Sequence, residues 1–486
     1  MRSGGRTAVA VAVLFALAVP LAAFATARSA AEPAQPGKAP SFERDVAPII
    51  AAKCAGCHQK GGIAPSRLET AKQISRKSSL IASAVRARVM PPWPPGRTSP
   101  AYVGQRARTL SAKQRATILA WAKAGGRIDG PARPAPAPEK PEVRDGETLL
   151  DLRMPTAYRP TAGKGATDDY RCFLLDPKQQ EDTFVTSARI EPGRSKVVHH
   201  VILFRAAASQ IAAAQKLDAG SPGPGWSCFG GTGLPAGEGG LVDSLNDANW
   251  VAAWAPGTGG DRLPDGTGVP LPAGSRIVMQ VHYNLLNGSA PDRSRALLTV
   301  APASVGLEPL RTMLLPGPVE LGCAKGEKGP LCDRTAALFE LSRKYGSSSA
   351  FVPAGLLILC TGSAASPKPS PVSKCDRRIT APTTIHIAAG HMHLLGAAIR
   401  LELNPGTPRA KVLLDIPRWD FHWQGAYTLA RPVEAAAGDV VRVTCRFDVR
   451  KRARGDDGMP KTPRYVLWGE GSTDEMCLGI LQVTRK

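Results

Sequence analysis

Val197-Val198-His199-His200-Val201-Ile202-Leu203-Phe204 is apolar and rich in β-branched residues apart from two adjacent histidines. Such a run reads as a buried β-strand. Outward from it, short runs of the same kind recur at Arg276–Tyr283, Thr384–Ala389, Ala397–Leu403 and Val440–Phe447, alternating with Gly, Pro and Asp turns. This texture holds from about residue 146 to the end, too long a stretch for one sandwich. It predicts two β-sandwich domains, 146–308 and 309–486.

Upstream the texture differs. Residues 41–129 read as a small helical unit, with helical apolar spacing over Phe42–Ala52 and Ser111–Ala124 and Ser111 as N-cap. Residues 130–145 form a Pro-rich linker around PARPAPAPEKPE, extended and semi-rigid. At the start, Arg2 and Arg6 precede an apolar stretch from Ala8 to Phe24 and a small-x-small site at Ala25-Thr26-Ala27. That is the pattern of a signal peptide over residues 1–27, and it predicts a periplasmic or secreted protein. The alternative is an uncleaved segment, which would be the only membrane contact.

Composition bounds the rest. The 486 residues allow about three domains. A hydrophobic content of 43% with 21% charged residues excludes a wholly disordered chain. The net charge of +22 raises a nucleic-acid partner, but no long Lys/Arg run supports one; Arg450-Lys451-Arg452-Ala453-Arg454 is the densest. The expectation is no nucleic acid.

Cys54-Ala55-Gly56-Cys57-His58 is a C-x-x-C-H motif, the attachment signature of haem c. Two thiols add to the haem vinyls, and the adjacent His58 becomes an axial ligand. Met90, in Val89-Met90-Pro91-Pro92-Trp93, is the candidate for the opposite face. With the helices around them, these pieces resemble a class I cytochrome c, which implies a small all-α domain.

Five further histidines fall in compact motifs. They are His199-His200, His282 in Gln280-Val281-His282-Tyr283, and His391 and His393 in Gly390-His391-Met392-His393-Leu394-Leu395-Gly396. Strand residues i and i+2 share a face, so the H-x-H pair can reach one metal. Adjacent histidines face opposite ways and can chelate together only where the backbone departs from regular β. Imidazole ligands point to copper or zinc. His386 and His422 read as structural, His422 within an aromatic strand, Trp419–Gln424.

Taken in order, Tyr170-Arg171-Cys172, VHHVILF, the stretch Trp250–Leu263, QVHY, HMHLLG and Asp474-Glu475-Met476-Cys477 resemble the type II copper, ascorbate-dependent monooxygenases. Peptidylglycine alpha-hydroxylating and dopamine beta-monooxygenases are members. The resemblance covers residues 146–486 and implies two jelly-roll-like domains with one copper each. His199, His200 and His282 would hold the electron-transfer copper; His391, His393 and Met476 would hold the copper that meets O2. Gln280 would lie near the route between them. The family also suggests Cys172–Cys228 and Cys445–Cys477, leaving Cys323, Cys332, Cys360 and Cys375 with three possible pairings.

Two departures bear on the substrate. Ala389 stands where the peptide-amidating member has an arginine, and Ile480 where it has a tyrosine. A glycine-extended peptide is therefore not the expected substrate. The whole reads as a multidomain chain, a small all-α cytochrome c domain followed by two all-β jelly-roll-like sandwich domains. Its expected function is to hydroxylate a small organic substrate with O2, using two coppers, one covalent haem c and an external electron donor. The rival is a copper and haem electron-transfer protein without catalysis.

Overall fold

The computed structural model describes residues 39–486 apart from 61–63, 65, 135–140, 164–166, 236–244, 256–261, 287 and 366. The expected signal peptide lies outside the described residues, as do the centre of the Pro-rich linker and part of Trp250–Leu263.

Ten strands fill residues 148–309. They are β1 (Thr148–Arg153), β2 (Asp168–Leu175), β3 (Thr183–Glu191), β4 (Val198–Ala206), β5 (Trp226–Ser227), β6 (Trp250–Trp254), β7 (Thr267–Leu271), β8 (Arg276–Asn284), β9 (Arg295–Pro302) and β10 (Glu308–Pro309). They form two sheets, ordered β1-β9-β3-β7-β10 and β5-β2-β8-β4-β6. One core joins them, with Leu152, Val185 and Leu298 from the first sheet against Val201, Met279 and Val281 from the second.

The next ten are β11 (Arg311–Gly317), β12 (Glu320–Leu321), β13 (Val372–Arg378), β14 (Thr383–His391), β15 (Gly396–Leu403), β16 (Lys411–Ile416), β17 (Ala426–Ala435), β18 (Val440–Phe447), β19 (Val466–Leu467) and β20 (Cys477–Arg485). Sheets β11-β20-β14-β17 and β13-β18-β15-β16 share a second core, with β12-β19 as a small ribbon. Four disulfides cross-link these strands and loops: Cys172–Cys228, Cys323–Cys332, Cys360–Cys375 and Cys445–Cys477. The first and last are the pairs the family resemblance suggests. Cys54 and Cys57 are unpaired.

The β region is not all-β. Helices Ile211–Ala219, Arg334–Tyr345 and Phe351–Thr361 interrupt it. The last two follow the Cys323–Cys332 bridge, and the second of them carries Cys360 of the Cys360–Cys375 bridge, in a segment with no strand periodicity.

The expectation of a small all-α cytochrome c domain ahead of separate sandwiches is corrected. Residues 40–486 close into one compact unit that is mostly β with a few helices. Helical turns do run over 42–55, and Ser111 does cap Ala112–Lys123, accepting from the Gln114 amide at 3.1 Å. But the segment after Met90 belongs to the β core. Trp93 meets the Tyr427 ring edge-on at 5.4 Å, and Tyr102 is buried in the second core, its hydroxyl donating to Leu413 O at 2.9 Å. Gly96 N donates to Asp415 O at 2.8 Å, and Val103 N to Thr428 O at 2.8 Å. These contacts join residues more than 300 positions apart, so local periodicity carries no trace of them.

Candidate metal centre

The site begins with a fault in a strand. Along β4, Val201 and Leu203 face the first core, while His200, Ile202 and Phe204 line a cavity on the other side. Regular alternation would turn His199 toward the core with Val201. Instead the register against β8 shifts between Val198 and His200. This irregularity lets both histidines turn to one side. It is the departure from regular β that the adjacent pair requires.

Three Nδ1 atoms then converge. His199 Nδ1 lies 3.3 Å from His200 Nδ1, which lies 3.2 Å from His282 Nδ1. One potential ligand atom from each histidine falls within 4.8 Å of the others. Such a clustering of ring nitrogens is a ready-made metal cradle. Burial, and then the charge of His282 nearby, holds His199 and His200 well below the ordinary imidazole range. They are neutral donors, as metal binding needs.

The tautomer of His282 is set from behind. Its Nε2 lies 2.8 Å from Asp168 Oδ1, which leaves Nδ1 free to face the cluster. Burial works against the charge of Asp168. Hydrogen bonds from His282, Ser472 and Thr167 outweigh it and keep the carboxyl below the usual range. Tyr170 stacks on His282 at 4.1 Å, and its hydroxyl donates to Glu470 O at 2.8 Å.

The second group uses the opposite nitrogens. His391 ends β14 and His393 sits in the turn beyond it; their Nε2 atoms are 3.2 Å apart. Gln424 Nε2 donates to Phe421 O at 2.9 Å, which aims Gln424 Oε1 at His391 Nδ1, 2.5 Å away. His391 therefore carries its proton on Nδ1 and frees Nε2. Burial lowers His391 to about 4 and holds His393 well below the ordinary range. His393 Nδ1 and His199 Nε2 are buried without a hydrogen-bond partner.

Met476 is buried just before β20 and lines the same cavity as His391 and His200. Glu475 ties it to the histidine turn, accepting from His393 N at 2.9 Å, Leu395 N at 2.7 Å and Met476 N at 2.9 Å. Burial pushes the Glu475 carboxyl up to about 8. The two histidine groups are neighbours, with the His200 and His391 rings 5.8 Å apart. Phe421 stacks on His199 at 4.2 Å and lies 6.2 Å from His393, touching both.

Gln280 lines the cavity, but its amide is committed to Cys228 O at 2.9 Å and Gly231 O at 2.8 Å. His386 is buried away from the cluster, against Thr484 Oγ1 at 3.1 Å. His422 is corrected: Trp419–Gln424 is a loop, and the His422 side chain is 58% exposed beside Asp420. Cys54 and Cys57 lie at the end of the 42–55 helical stretch; burial pushes the Cys54 thiol up to about 12 and Cys57 also upward. His58 Nδ1 faces Ser66 O at 2.7 Å. Met90 is half-buried.

Neutral imidazoles on a β scaffold, with a thioether lining the same cavity, are donors that suit copper. Residues 372–482 match the family model described as the C-terminal domain of copper type II ascorbate-dependent monooxygenases. That span holds His391, His393, Gln424 and Met476, and runs from β13 into β20. A domain of this kind makes the chain a copper-dependent monooxygenase, an oxidoreductase that uses O2 and a substrate; ascorbate is the reductant of the family that the matched model describes.

No curated protein matches the chain. Solved structures similar to it include the VP2 subviral particle of infectious bursal disease virus, at 7% identity over 72% of this chain and 74% of that one, with a TM-score of 0.16. An allantoicase matches at 11% identity over 62% and 86%, TM-score 0.15, and a mutant oxalate decarboxylase of Bacillus subtilis at 8% over 72% and 79%, TM-score 0.12. Likenesses of that size carry no argument about this chain.

Proposed function

We propose that the chain binds two coppers and one covalent haem c and hydroxylates a C–H bond of a small organic substrate. His199, His200 and His282 would hold one copper through Nδ1. His391 and His393 through Nε2, with the Met476 thioether, would hold the other. The observation that carries this is the paired tautomer control: Asp168 frees Nδ1 of His282, and Gln424 frees Nε2 of His391. Unpartnered His199 Nε2 and His393 Nδ1 show no competing structural use for those rings.

When bound, the coppers and the haem supply the one-electron chemistry and the site for O2. The chain's own residues do the rest. Asp168 and Gln424 hold a proton on the ring nitrogen turned away from each cluster. Glu475 locks the His393 turn to Met476, so that the imidazole and the thioether stay on one side of the sheet. Gln280 acts as a positioning residue, anchoring the Cys228–Gly231 loop at the cavity wall.

Two observations fit covalent haem. The C-x-x-C thiols stay unpaired while the other eight cysteines pair. The Ser66 carbonyl takes Nδ1 of His58 and leaves Nε2 free as a ligand. A thiol raised to about 12 is also a poor nucleophile for disulfide exchange, which disfavours a thioredoxin-like role. An external donor would feed the haem. Four disulfides fit an oxidising compartment, so we place the protein in the periplasm or outside the cell. Among the described residues no helix is long and apolar enough to cross a membrane.

Metal analysis tests the whole reading. The expected result is two coppers and one haem iron per chain, with substrate-dependent O2 uptake. Zinc in place of copper would overturn it, as would copper-loaded protein that consumes no O2 with any amine, amide or aromatic substrate.

A further inference from the structure

The cavity beside the two histidine groups has a volume of about 730 Å³, in the range of small-molecule sites. Its wall includes Ala389, Ile480, Leu314, Leu356, Met476 and, from β6, Trp254. Ala389 and Ile480, the two departures noted in the sequence, both belong to this wall.

The charged groups on the described lining are few and committed. Arg205 donates to Asn249 Oδ1 at 2.6 Å and Pro270 O at 2.8 Å, and pairs with Asp247. Asp247 also takes Arg311. Burial, and then the nearby charge of Asp474, pushes Glu470 up to about 7, which weakens it as a partner for a cation. A carboxylate entering here would lose its hydration without gaining a counter-ion, and an ammonium would meet only Glu470, about half charged at neutral pH.

The rim is apolar as well. Phe351 is 74% exposed and Val352 41%, yet both line the cavity. They open the helix Phe351–Thr361, which Cys360–Cys375 ties to β13. Exposed apolar residues at the mouth of an apolar cavity mark an entry path.

We propose that this site takes a bulky, uncharged, apolar substrate, neither a carboxylate nor an ammonium compound, admitted past Phe351 and Val352. The proposal rests on the monooxygenase reading of the histidine groups and names its substrate class.

Gly355 provides the test. It lines the cavity from the same helix, and open space lies where its Cβ would be. A tryptophan there would carry its ring from an unobstructed Cβ at the cavity wall and would not weaken the helix, since glycine is the poorer helix former. The probe is N-phenyl-1-naphthylamine, whose fluorescence rises in apolar surroundings. It should bind wild type and Gly355→Ala alike, and at least tenfold more weakly to Gly355→Trp of unchanged circular dichroism. Tetralin should displace it, with hippurate and phenethylamine each at least a hundredfold less effective.

Equal probe binding by Gly355→Trp would overturn the proposal, as would displacement by either ion on a par with tetralin. Should Gly355→Trp not fold, the displacement series on wild type decides alone. Copper content and O2 uptake of the same preparation report separately. Protein without copper fails the monooxygenase reading and leaves the binding result in place. Copper-loaded, O2-consuming protein that ignores the probe fails only the substrate class.

Discussion

Asp168→Asn changes one charge and almost no volume. Asp168 Oδ1 takes His282 Nε2 at 2.8 Å and Ser472 Oγ at 2.7 Å; Oδ2 takes Thr167 Oγ1 at 2.9 Å and Ser472 N at 3.3 Å. An asparagine that keeps its oxygen on His282 must turn an amide toward two donors. The Thr167 hydroxyl can rotate and accept, but the Ser472 N–H cannot. One unmatched buried donor costs about 1–3 kcal/mol of folding stability. Separately, His282 loses a charged acceptor that fixes its tautomer. Outer partners of this kind are worth about 10–100-fold in metal affinity, or about 1.4–2.8 kcal/mol. The loss should fall on one copper only, because Gln424, not Asp168, orients His391.

The assay is anaerobic competition for Cu(I) with bicinchoninate, which resolves the two sites by their separate steps. The expected curve has one step displaced by one to two decades and one unmoved, with the melting temperature of the metal-free protein modestly lower. If both steps moved together, or the first stayed within threefold in folded protein, the assignment of Asp168 to His282 as a metal-orienting pair would be wrong.

Met476→Leu conserves volume, so folding should fall by less than about 1.5 kcal/mol. X-ray absorption should show the copper–sulfur scatterer gone and O2 uptake lost while the His199 group keeps its metal. The double variant Cys445→Ala/Cys477→Ala opens a loop of separation 32 and should lose about 3–4 kcal/mol in a denaturant titration. Glu147 gives the pH dependence. Burial alone would raise its carboxyl, but hydrogen bonds from Arg262, the Arg144 amide and Thr186 lower it from 4.5 to about 2. The folded value lies below the unfolded one, so this stabilisation is complete above pH 4.5 and lost as pH falls to about 2. Wild type should therefore lose more stability than Glu147→Gln over that window; parallel urea midpoints would refute the linkage.

Features encoded in local composition were legible before the structure. The alternating runs around His199, His282 and His391 became β4, β8 and β14, and Ser111 became an N-cap. The need for a backbone irregularity at His199-His200 followed from strand geometry alone. What stayed hidden depends on distant pairing. Asp168 lies 114 positions from His282, and Gln424 lies 33 from His391. A lone Asp or Gln carries no mark of such a role. Glu475 was visible only as part of a motif, not as the clasp between His393 and Met476. The N-terminal helices were legible as helices, but not as part of one unit with the β core. That depends on Trp93 and Tyr102 meeting Tyr427, Leu413 and Leu429. The loop Trp419–Gln424 misled because its aromatic residues suggested a core strand. Phe421 is in fact a buried plate against His199.

Met476 is followed directly by Cys477, whose sulfur is bonded to Cys445 on β18. β20 is already paired on both edges, with β11 and β14, while Cys445 belongs to the facing sheet. The disulfide therefore braces the two sheets of the second sandwich against each other one residue from Met476. Under the proposed copper assignment, a thioether ligand on one sheet is indexed to the other by a covalent bond. Opening that bond would loosen the second ligand set and leave the His199 group, which has no residue on either sheet, in place.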